Sequence, residues 1–352
     1  MAQESVSQTD ARAAAGNLDE VGTDLPRTVD WDDGAIVTID QVALPHEVRP
    51  LRITDVDDLI GAIQRLAIRG APALGGAGAL GVALLARQYQ DPEAVRAAAE
   101  RLASARPTAV NLRWGVSRAL ARLADGPDAV LAEALDVLDE DVRGNVRASE
   151  RAADLIRSLC EPRPLRLLTH CNAGRLATVG WGTALGAVRS LAEAGHVEAV
   201  LADETRPLLQ GARLTAYELA ELGIPYRICP DSAAAAAMSL GLVDCVIVGA
   251  DRIARSGDVA NKVGTFSVAL AAARHGIPFI VVAPESTVDS SIASGADIHI
   301  EQRAADEVTH VAGVRIAPDG ADAFNPAFDV TPADLVTAIV TEDRVWRPAR
   351  SA

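Results

Sequence analysis

Two reactive side chains, a thiol and a carboxyl, each come directly after an apolar run typical of a buried strand. Cys171 follows Leu165–Thr169 and precedes an Asn-Ala-Gly turn, where exposed backbone N–H groups would favour a thiolate. Asp251 follows the run Cys245–Gly249, and partial desolvation there would raise its pKa into a range useful for proton donation. Together they predict acid–base chemistry; a buried structural cysteine and a helix-capping aspartate are the alternatives.

The sequence contains one lysine, Lys262, among 33 basic residues, so the other 32 are arginines. A retained lysine suggests a site that needs a compact ammonium, with chance retention as the alternative. Lys262 follows Asn261 and precedes a helical pattern, so we expect it to supply the point charge for a phosphate that the helix N-terminus cradles. Arg69 and Gly70 lie at a break between two helical patterns, which fits either an anion site or an ordinary turn, and Arg106 begins a weaker version of that pattern.

The composition excludes several classes of function. A formal net charge of −15 argues against a nucleic-acid partner and against binding to anionic membranes, whereas a local cluster of cations can still hold a phosphorylated small molecule. No apolar run approaches the ~20 residues of a membrane span. The four cysteines are widely spaced and form no CxxC motif, so we expect neither a disulfide framework nor a zinc site.

The order of elements predicts an α/β protein. Residues 27–53 alternate apolar and polar positions around turn signals, as in a small antiparallel sheet, and helical periodicity follows to about residue 160. From residue 164, short apolar runs alternate with helical patterns, which predicts a doubly wound, Rossmann-like parallel sheet. We therefore predict a disordered tail over residues 1–24, a mostly helical N-terminal domain with a small sheet over 25–150, and a Rossmann-like catalytic domain over 151–345. The tail lacks the apolar segment of a signal peptide, so we expect a cytosolic protein.

Polar residues follow each predicted strand of the parallel sheet, and ligands bind beyond the carboxyl ends of such strands. We therefore expect the active site at this edge, or rim, of the sheet. We expect His170 to be a structural neighbour of Cys171 and not its catalytic partner. Glu204–Pro207 and Gln210 supply hydrogen-bonding groups suited to sugar hydroxyls. The other rim residues are Cys171, Asn172, Asp203, Asp231, Asp251 and Glu285.

Several segments together resemble the methylthioribose-1-phosphate isomerase family, in the family's order, over nearly the whole chain after about residue 25. The matching stretches are RGAPALG (69–75), RPTAVNLRW (106–114), THCNAGRLAT (169–178), ETRPLLQGARLTAYEL (204–219), VIVGADRIARSGDVANKVGT (246–265) and FNPAFDVTPADLV (324–336).

The resemblance implies an enzyme of methionine salvage that isomerises 5-methylthioribose 1-phosphate to 5-methylthioribulose 1-phosphate. It implies Asp251 as proton donor to the ring oxygen and Cys171 as base or charge-stabilising group. It also implies a homodimer that needs no metal and no organic cofactor. The implied substrate contacts are Arg69, Gly70, Ala71, Arg106, Gln210, Asn261 and Lys262.

Two alternatives stay open at this stage. A sister isomerase would act on 5-deoxyribose 1-phosphate or ribose 1,5-bisphosphate; a second phosphate needs a second cationic cluster, whereas a methylthio group needs an apolar pocket. A non-catalytic regulatory subunit that binds sugar phosphates, as in a translation-initiation exchange factor, is the other. The presence of both Cys171 and Asp251 argues against it.

Overall fold

The computed structural model describes residues 25–106 and 109–348, so the predicted tail over residues 1–24 lies outside the described residues. The helices are α1 (Val56–Gln64), α2 (Ala71–Gln88), α3 (Pro92–Ala103), α4 (Val110–Leu120), α5 (Pro127–Leu159), α6 (Ala184–Glu193), α7 (Ala216–Glu221), α8 (Ala234–Ser239), α9 (Thr265–His275) and α10 (Asp306–Thr309). The strands are β1 (Val29–Asp32), β2 (Ala35–Ile39), β3 (Pro50–Ile53), β4 (Leu165–Thr169), β5 (Val197–Asp203), β6 (Tyr226–Cys229), β7 (Cys245–Val248), β8 (Arg252–Ala254), β9 (Val259–Lys262), β10 (Phe279–Val282), β11 (Val288–Asp289), β12 (His310–Val311), β13 (Val314–Arg315), β14 (Phe328–Thr331), β15 (Ala338–Val340) and β16 (Val345–Trp346).

The N-terminal part combines a small antiparallel sheet with helices packed around α2. Strands β1, β2 and β3 pair in sequence order, and α2 is buried continuously from Ala73 to Leu85. Glycines permit this packing: a Cβ at Gly81 would lie 2.4 Å from the Leu102 side chain, and one at Gly78 would lie 2.8 Å from a backbone oxygen of α4. The predicted small sheet followed by helices is confirmed.

Helix α5 runs without interruption through 33 residues, about 50 Å at 1.5 Å per residue. Its first half, including Val130 and Leu138, belongs to the hydrophobic core around α2. Its second half, including Ala152 and Ile156, belongs to a separate core on the large sheet. The predicted boundary at residue 150 therefore falls inside a continuous helix, and the division into two domains stays a prediction.

The C-terminal part is built on a seven-stranded sheet in the order β16-β15-β10-β7-β4-β5-β6, parallel except at β16. Successive side chains of a strand point to opposite faces. Cys245 and Ile247 of β7 accordingly join the core beneath α5 and α6, whereas Val246 and Val248 join the core beneath α8 and α9. Helices cover both faces, which confirms the predicted doubly wound architecture.

A second sheet, in the order β11-β8-β9-β14, was not predicted. Its strands are two to four residues long, and β9 pairs antiparallel with β14 so that Lys262 lies opposite Phe328. This pairing fixes the end of β9 beside the carboxyl ends of the large sheet. Among the described residues, no helix combines the length and apolar character needed to cross a membrane.

Candidate active site

A pocket of about 240 Å³ lies where the carboxyl ends of β4 and β7 meet the N-terminus of α2. The N-terminal part contributes the turn before α2, and the second sheet contributes the end of β9. All nine residues predicted from the sequence line this one pocket: Arg69, Gly70, Ala71, Arg106, Cys171, Gln210, Asp251, Asn261 and Lys262.

Cys171 has a left-handed backbone conformation, with φ +68°, two residues after the last residue of β4. A non-glycine residue is strained in this region of backbone conformation, and it keeps that conformation only where neighbouring groups impose it. Here the Cys171 N–H donates to Thr205 Oγ1 at 2.9 Å, and its carbonyl accepts from Thr215 Oγ1 at 2.7 Å. Two neighbouring segments thus hold the backbone so that the thiol lines the pocket.

Gln210 is the direct side-chain partner of the thiol. Its Nε2 donates to Cys171 Sγ at 3.3 Å, and only 7% of the residue is exposed. Its Oε1 is buried and has no hydrogen-bond partner among the described residues. An unpaired buried acceptor costs about 1–3 kcal/mol, so a ligand that donates a hydrogen bond to this oxygen would stabilise the site.

Asp251 lies between two structural elements, after β7 and at the start of β8. Its N–H donates to the Ala260 carbonyl at 2.9 Å, which fixes its backbone to β9. Burial raises the pKa of its carboxyl, while the positive charges of Lys262, Arg106 and Arg69 act in the opposite direction. The carboxyl therefore holds a proton more tightly than an exposed aspartate does, as a proton donor requires.

Lys262 reaches the pocket from the end of β9. Its Nζ donates to the Ala327 carbonyl and lies 4.4 Å from the centre of the Phe328 ring. Burial lowers the pKa of Lys262, whereas Cys171 and Asp251 act to raise it. A bound anion in the pocket would therefore interact favourably with this ammonium.

Arg69 is held rigidly by neutral groups. Its Nε donates to Gln41 Oε1 at 3.0 Å, and its terminal nitrogens donate to the main-chain oxygen and to the side-chain Oδ1 of Asn172. Asn172 is itself fixed, since its Nδ2 donates to the buried Glu218 carboxylate at 2.7 Å. Burial lowers the pKa of Arg69 and of Arg106, so the pocket is a place where positive charge is costly until an anion binds.

The N-terminus of α2 opens onto the same pocket. Gly70 is its N-cap with φ +94°, no side chain within residues 25–106 and 109–348 caps the helix, and Gly70, Ala71 and Pro72 all line the cavity. The backbone at Gly70 touches that of Ala177, since a Cβ at Gly70 would lie only 2.2 Å from the Ala177 oxygen. The positive end of the 18-residue helix α2 is therefore available to an anion.

The expectation that the N-terminus of α9 cradles a phosphate is wrong. The Asp329 carboxylate from β14 accepts hydrogen bonds there from Gly264 N at 2.7 Å and from Phe266 N at 3.1 Å. A side-chain anion thus occupies the place predicted for the ligand. Lys262 does line the pocket, and the uncapped helix beside it is α2.

The sequence reasoning missed several residues that contact the charged groups. Gln41 and Phe328, which contact Arg69 and Lys262, gave no local signal, although Phe328 lies in the matched stretch 324–336. Asn172 was placed at the rim without a role. Glu204–Pro207 was expected to offer hydrogen bonds to sugar hydroxyls, but it does not line the pocket. The Thr205 hydroxyl instead accepts from Cys171 N and donates to the Asp203 carbonyl. Their roles depend on contacts between segments far apart in the chain.

Comparison with known proteins gives consistent results. The chain matches the Initiation factor 2 subunit family over residues 67–348. A probable bifunctional methylthioribose-1-phosphate isomerase/methylthioribulose-1-phosphate dehydratase from Nocardia farcinica is 65% identical over 320 residues, covering 90% of this chain but 58% of that protein. The chain thus spans little more than half of that relative. The methylthioribose-1-phosphate isomerase of Anaeromyxobacter dehalogenans is 53% identical over 328 residues, covering 93% of this chain and 95% of the relative.

Solved structures share the whole architecture. That of 5-methylthioribose 1-phosphate isomerase from Pyrococcus horikoshii OT3 matches with a TM-score of 0.83 and 41% identity, over 93% of this chain and 94% of the other. A structure described as translation initiation factor eIF-2B, subunit delta, from A. fulgidus matches with a TM-score of 0.81 and 45% identity, over 92% and 96%. The fold predicted from the sequence is confirmed.

Proposed function

Because the chain belongs to the Initiation factor 2 subunit family and, within it, to the methylthioribose-1-phosphate isomerases, we propose that it converts 5-methylthioribose 1-phosphate into 5-methylthioribulose 1-phosphate, a step of methionine salvage. The observation that carries the proposal is the shared pocket. Cys171, Asp251 and three cationic side chains, those of Arg69, Arg106 and Lys262, line one cavity of about 240 Å³.

In the proposed reaction, Asp251 supplies the first proton. An aldose 1-phosphate has no free aldehyde, because its anomeric oxygen is esterified, so the ring must open before isomerisation. Asp251 donates its proton to the ring oxygen, the bond from that oxygen to C1 breaks, and positive charge develops at C1. The raised pKa of Asp251 supports this role, since the acid must be protonated when substrate binds.

Cys171 acts in the second half of the reaction. As a thiolate it removes the proton from C2, giving an enol, and returns that proton to C1, while the C2 hydroxyl gives its proton to the Asp251 carboxylate and becomes the ketone. Both groups are then restored. A direct hydride shift from C2 to C1 gives the same product, with the thiolate stabilising charge instead. Turnover in D₂O separates the two routes, because only proton transfer through the thiol can place deuterium at C1.

The phosphate stays on C1 and is proposed to bind the cationic end of the pocket. Three observations support this: the uncapped N-terminus of α2 at Gly70 and Ala71, the rigid Arg69 guanidinium, and the Lys262 ammonium. Arg106 adds a further charge on the same lining. Burial lowers the pKa of all three cations, so binding a dianion would offset part of the cost of burying them.

Polar groups of the pocket suit the sugar hydroxyls. Gln210 offers its unpaired Oε1 as an acceptor beside Cys171. Asn261 also lines the cavity, and its Nδ2 donates to Thr265 Oγ1 at 3.0 Å, which fixes its amide. We propose both as hydroxyl contacts.

The remaining lining favours an uncharged substituent at C5. Arg65 pairs with Asp40 at 2.9 Å, and Arg213 donates to main-chain carbonyls including that of Leu44 at 2.9 Å. Asp40 therefore neutralises the charge of Arg65, whereas Arg213 donates to neutral main-chain carbonyls and has no carboxylate partner among the described residues. Apolar side chains complete this region of the lining: Val42, Leu66, Leu208 and Leu214. This supports a methylthio or plain 5-deoxy sugar over ribose 1,5-bisphosphate.

The test is a comparison of kcat/KM for 5-methylthioribose 1-phosphate, 5-deoxyribose 1-phosphate and ribose 1,5-bisphosphate with purified protein. We expect the first to be preferred. Cys171→Ser and Asp251→Asn should each lower kcat by about 10²–10⁴-fold, with circular dichroism and Tm unchanged. Failure to turn over any of the three sugars, with binding retained, would instead assign the chain to the non-catalytic subunits. Normal rates in both variants would refute the assigned roles.

We also propose that the protein is cytosolic and forms a homodimer. Supporting the homodimer, the edge strand β6 has no partner on its outer side among the described residues, and it exposes Tyr226 and Ile228. Leu240 and Leu242, in the following segment, are exposed as well. Light scattering on the wild type and on Ile228→Glu tests it; a monomeric wild type would contradict it.

A further inference from the structure

A hydrogen-bonded cluster of buried groups lies behind the pocket, and no step of the proposed reaction uses it. His170 is fully buried; its Nδ1 lies 2.9 Å from Asp203 Oδ2, and its Nε2 lies 2.9 Å from the Val263 carbonyl oxygen. Asp203, also fully buried, accepts a further hydrogen bond from Cys229 Sγ at 3.2 Å. None of these residues lines the pocket.

The carbonyl contact fixes the protonation pattern of the imidazole. A carbonyl oxygen can only accept, so Nε2 must carry a hydrogen and donate it to Val263. The contact between Nδ1 and Asp203 then holds a single proton, on the nitrogen in an ion pair or on the carboxyl in a neutral pair. Either way the pair has no net charge, and burial raises the pKa of Asp203, which favours keeping that proton within the pair.

The imidazole of His170 lies between the segment that carries Cys171 and the segment that carries Lys262. His170 directly precedes Cys171, and Val263 directly follows Lys262. The ring therefore joins the backbone beside the thiol to the backbone beside the ammonium. Packing reinforces the link: Gly264 has φ +106°, and a Cβ there would lie 2.7 Å from His170 Cε1.

Asp203 connects the same ring to the support of the thiol. Its main-chain oxygen accepts a hydrogen bond from Thr205 Oγ1 at 3.0 Å, and that hydroxyl accepts the one from Cys171 N at 2.9 Å. The Thr205 N–H in turn donates to Asp231 Oδ1 at 2.7 Å. The segment at the end of β5 thus holds both the His170 imidazole, through the Asp203 carboxyl, and the backbone of Cys171, through the Thr205 hydroxyl.

We propose that His170, oriented by Asp203, is a positioning residue that fixes Cys171 relative to Lys262. It keeps the group that acts at C2 at a set separation from the cation that holds the C1 phosphate. This assignment rests on the isomerase function proposed above. Because misplacement by about 1 Å can cost on the order of 10²-fold in rate, loosening the link should lower kcat in a folded protein.

The test compares two substitutions of one residue. In Asp203→Asn, Nδ2 can donate to the neutral Nδ1 and Oδ1 can accept from Cys229, so the geometry survives without the carboxylate. Asp203→Ala leaves Nδ1 without a partner in a dry site. We expect kcat/KM within about 3-fold of wild type for Asn and a loss of about 10²-fold for Ala. His275→Asn, at the exposed end of α9, is the control.

A second readout needs no substrate turnover. Alkylation by iodoacetamide, measured at Cys171 by peptide mass spectrometry, reports the reactivity of the thiol, and its inhibition by inorganic phosphate reports whether an anion at the cationic end shields that thiol. Phosphate should protect Cys171 in the wild type and in Asp203→Asn but much less in Asp203→Ala. This readout stays valid even if the wild type isomerises none of the three sugars, so the two proposals can fail separately.

The outcomes divide cleanly. A loss of kcat/KM in Asp203→Ala but not in Asp203→Asn, with unchanged circular dichroism, supports the positioning role of His170. Equal kcat/KM in the wild type and both variants, or an equal loss in both variants, overturns it. If Asp203→Ala does not fold, His170→Gln replaces it. The glutamine amide can reach only one of the two partners, and the same loss is expected.

Discussion

Replacing Gly70 with alanine tests whether the N-terminus of α2 is held in place by close backbone contact. The added Cβ would lie 2.2 Å from the oxygen and 2.4 Å from the Cα of Ala177. Ordinary contact begins at 3.4 Å, so the two backbones must separate by about 1.2 Å (3.4 − 2.2). No side-chain rotation can relieve a clash between a Cβ and a main chain.

The displacement falls on groups proposed to bind substrate, since Arg69, Gly70 and Ala71 are consecutive. A shift of about 1 Å at such a site costs on the order of 10²-fold, so we expect kcat/KM to fall by about that factor. The backbone conformation adds its own penalty. At φ +94° and ψ 136° an alanine is strained, and the free energy of unfolding should drop by about 1–3 kcal/mol.

Gly126→Ala provides a matched control. Gly126 is the N-cap of α5 with φ +97° and ψ 171°, and a Cβ there meets nothing within 4 Å. It should therefore lose a similar amount of stability in thermal unfolding while keeping its kcat/KM. If Gly70→Ala matched this control in steady-state kinetics, the contact with Ala177 would not be positioning the helix, and the reasoning would fail.

Three further predictions concern charged groups. Lys262→Arg should raise KM about 10-fold or more with a smaller change in kcat, because the longer, planar guanidinium cannot place its charge where the compact ammonium lies beside the Ala327 carbonyl and the Phe328 ring; an unchanged KM would contradict this. The kcat of the wild type should fall as pH rises through the raised pKa of Asp251, because the acid must be protonated; a pH–rate profile flat to alkaline pH would exclude it as the donor. Burial raises the pKa of Asp141 from 3.8 to about 7, so its stabilising contribution is full below pH 3.8 and is lost as pH rises to about 7; Tm should fall between about pH 4 and 7, and less steeply in Asp141→Asn.

Much of the fold could be predicted because its signals are local. The run Cys245–Val248 is buried on both faces of a sheet, so its sequence is continuously apolar. In Pro127–Leu159, apolar residues recur at helical spacing among many charged ones, which predicts a helix. The second sheet has no comparable signal. Val259–Lys262 and Phe328–Thr331 are short and polar in part, and only their pairing across a long stretch of chain makes them strands.

In the candidate site, too, local signals could be predicted from the sequence, whereas contacts between distant segments could not. Cys171 and Asp251 could be brought together because strand ends of a parallel sheet share an edge. Gln210 was identified by its hydrogen-bonding groups, and the resemblance supplied Asn261 as a substrate contact. The error at α9 arose because Asp329, the residue that caps it, lies far along the chain. A sequence reveals that a helix begins there, but not which side chain already satisfies its N–H groups.

The single lysine has a practical consequence for experiments. In this chain an amine-selective acylating reagent can modify only Lys262 and the terminal amine. Burial lowers the pKa of Lys262, which increases the fraction of reactive free amine near neutral pH. Peptide-level mass spectrometry, which separates Lys262 from the terminal amine, would therefore report pocket occupancy as the fraction of Lys262 that a ligand protects from acylation.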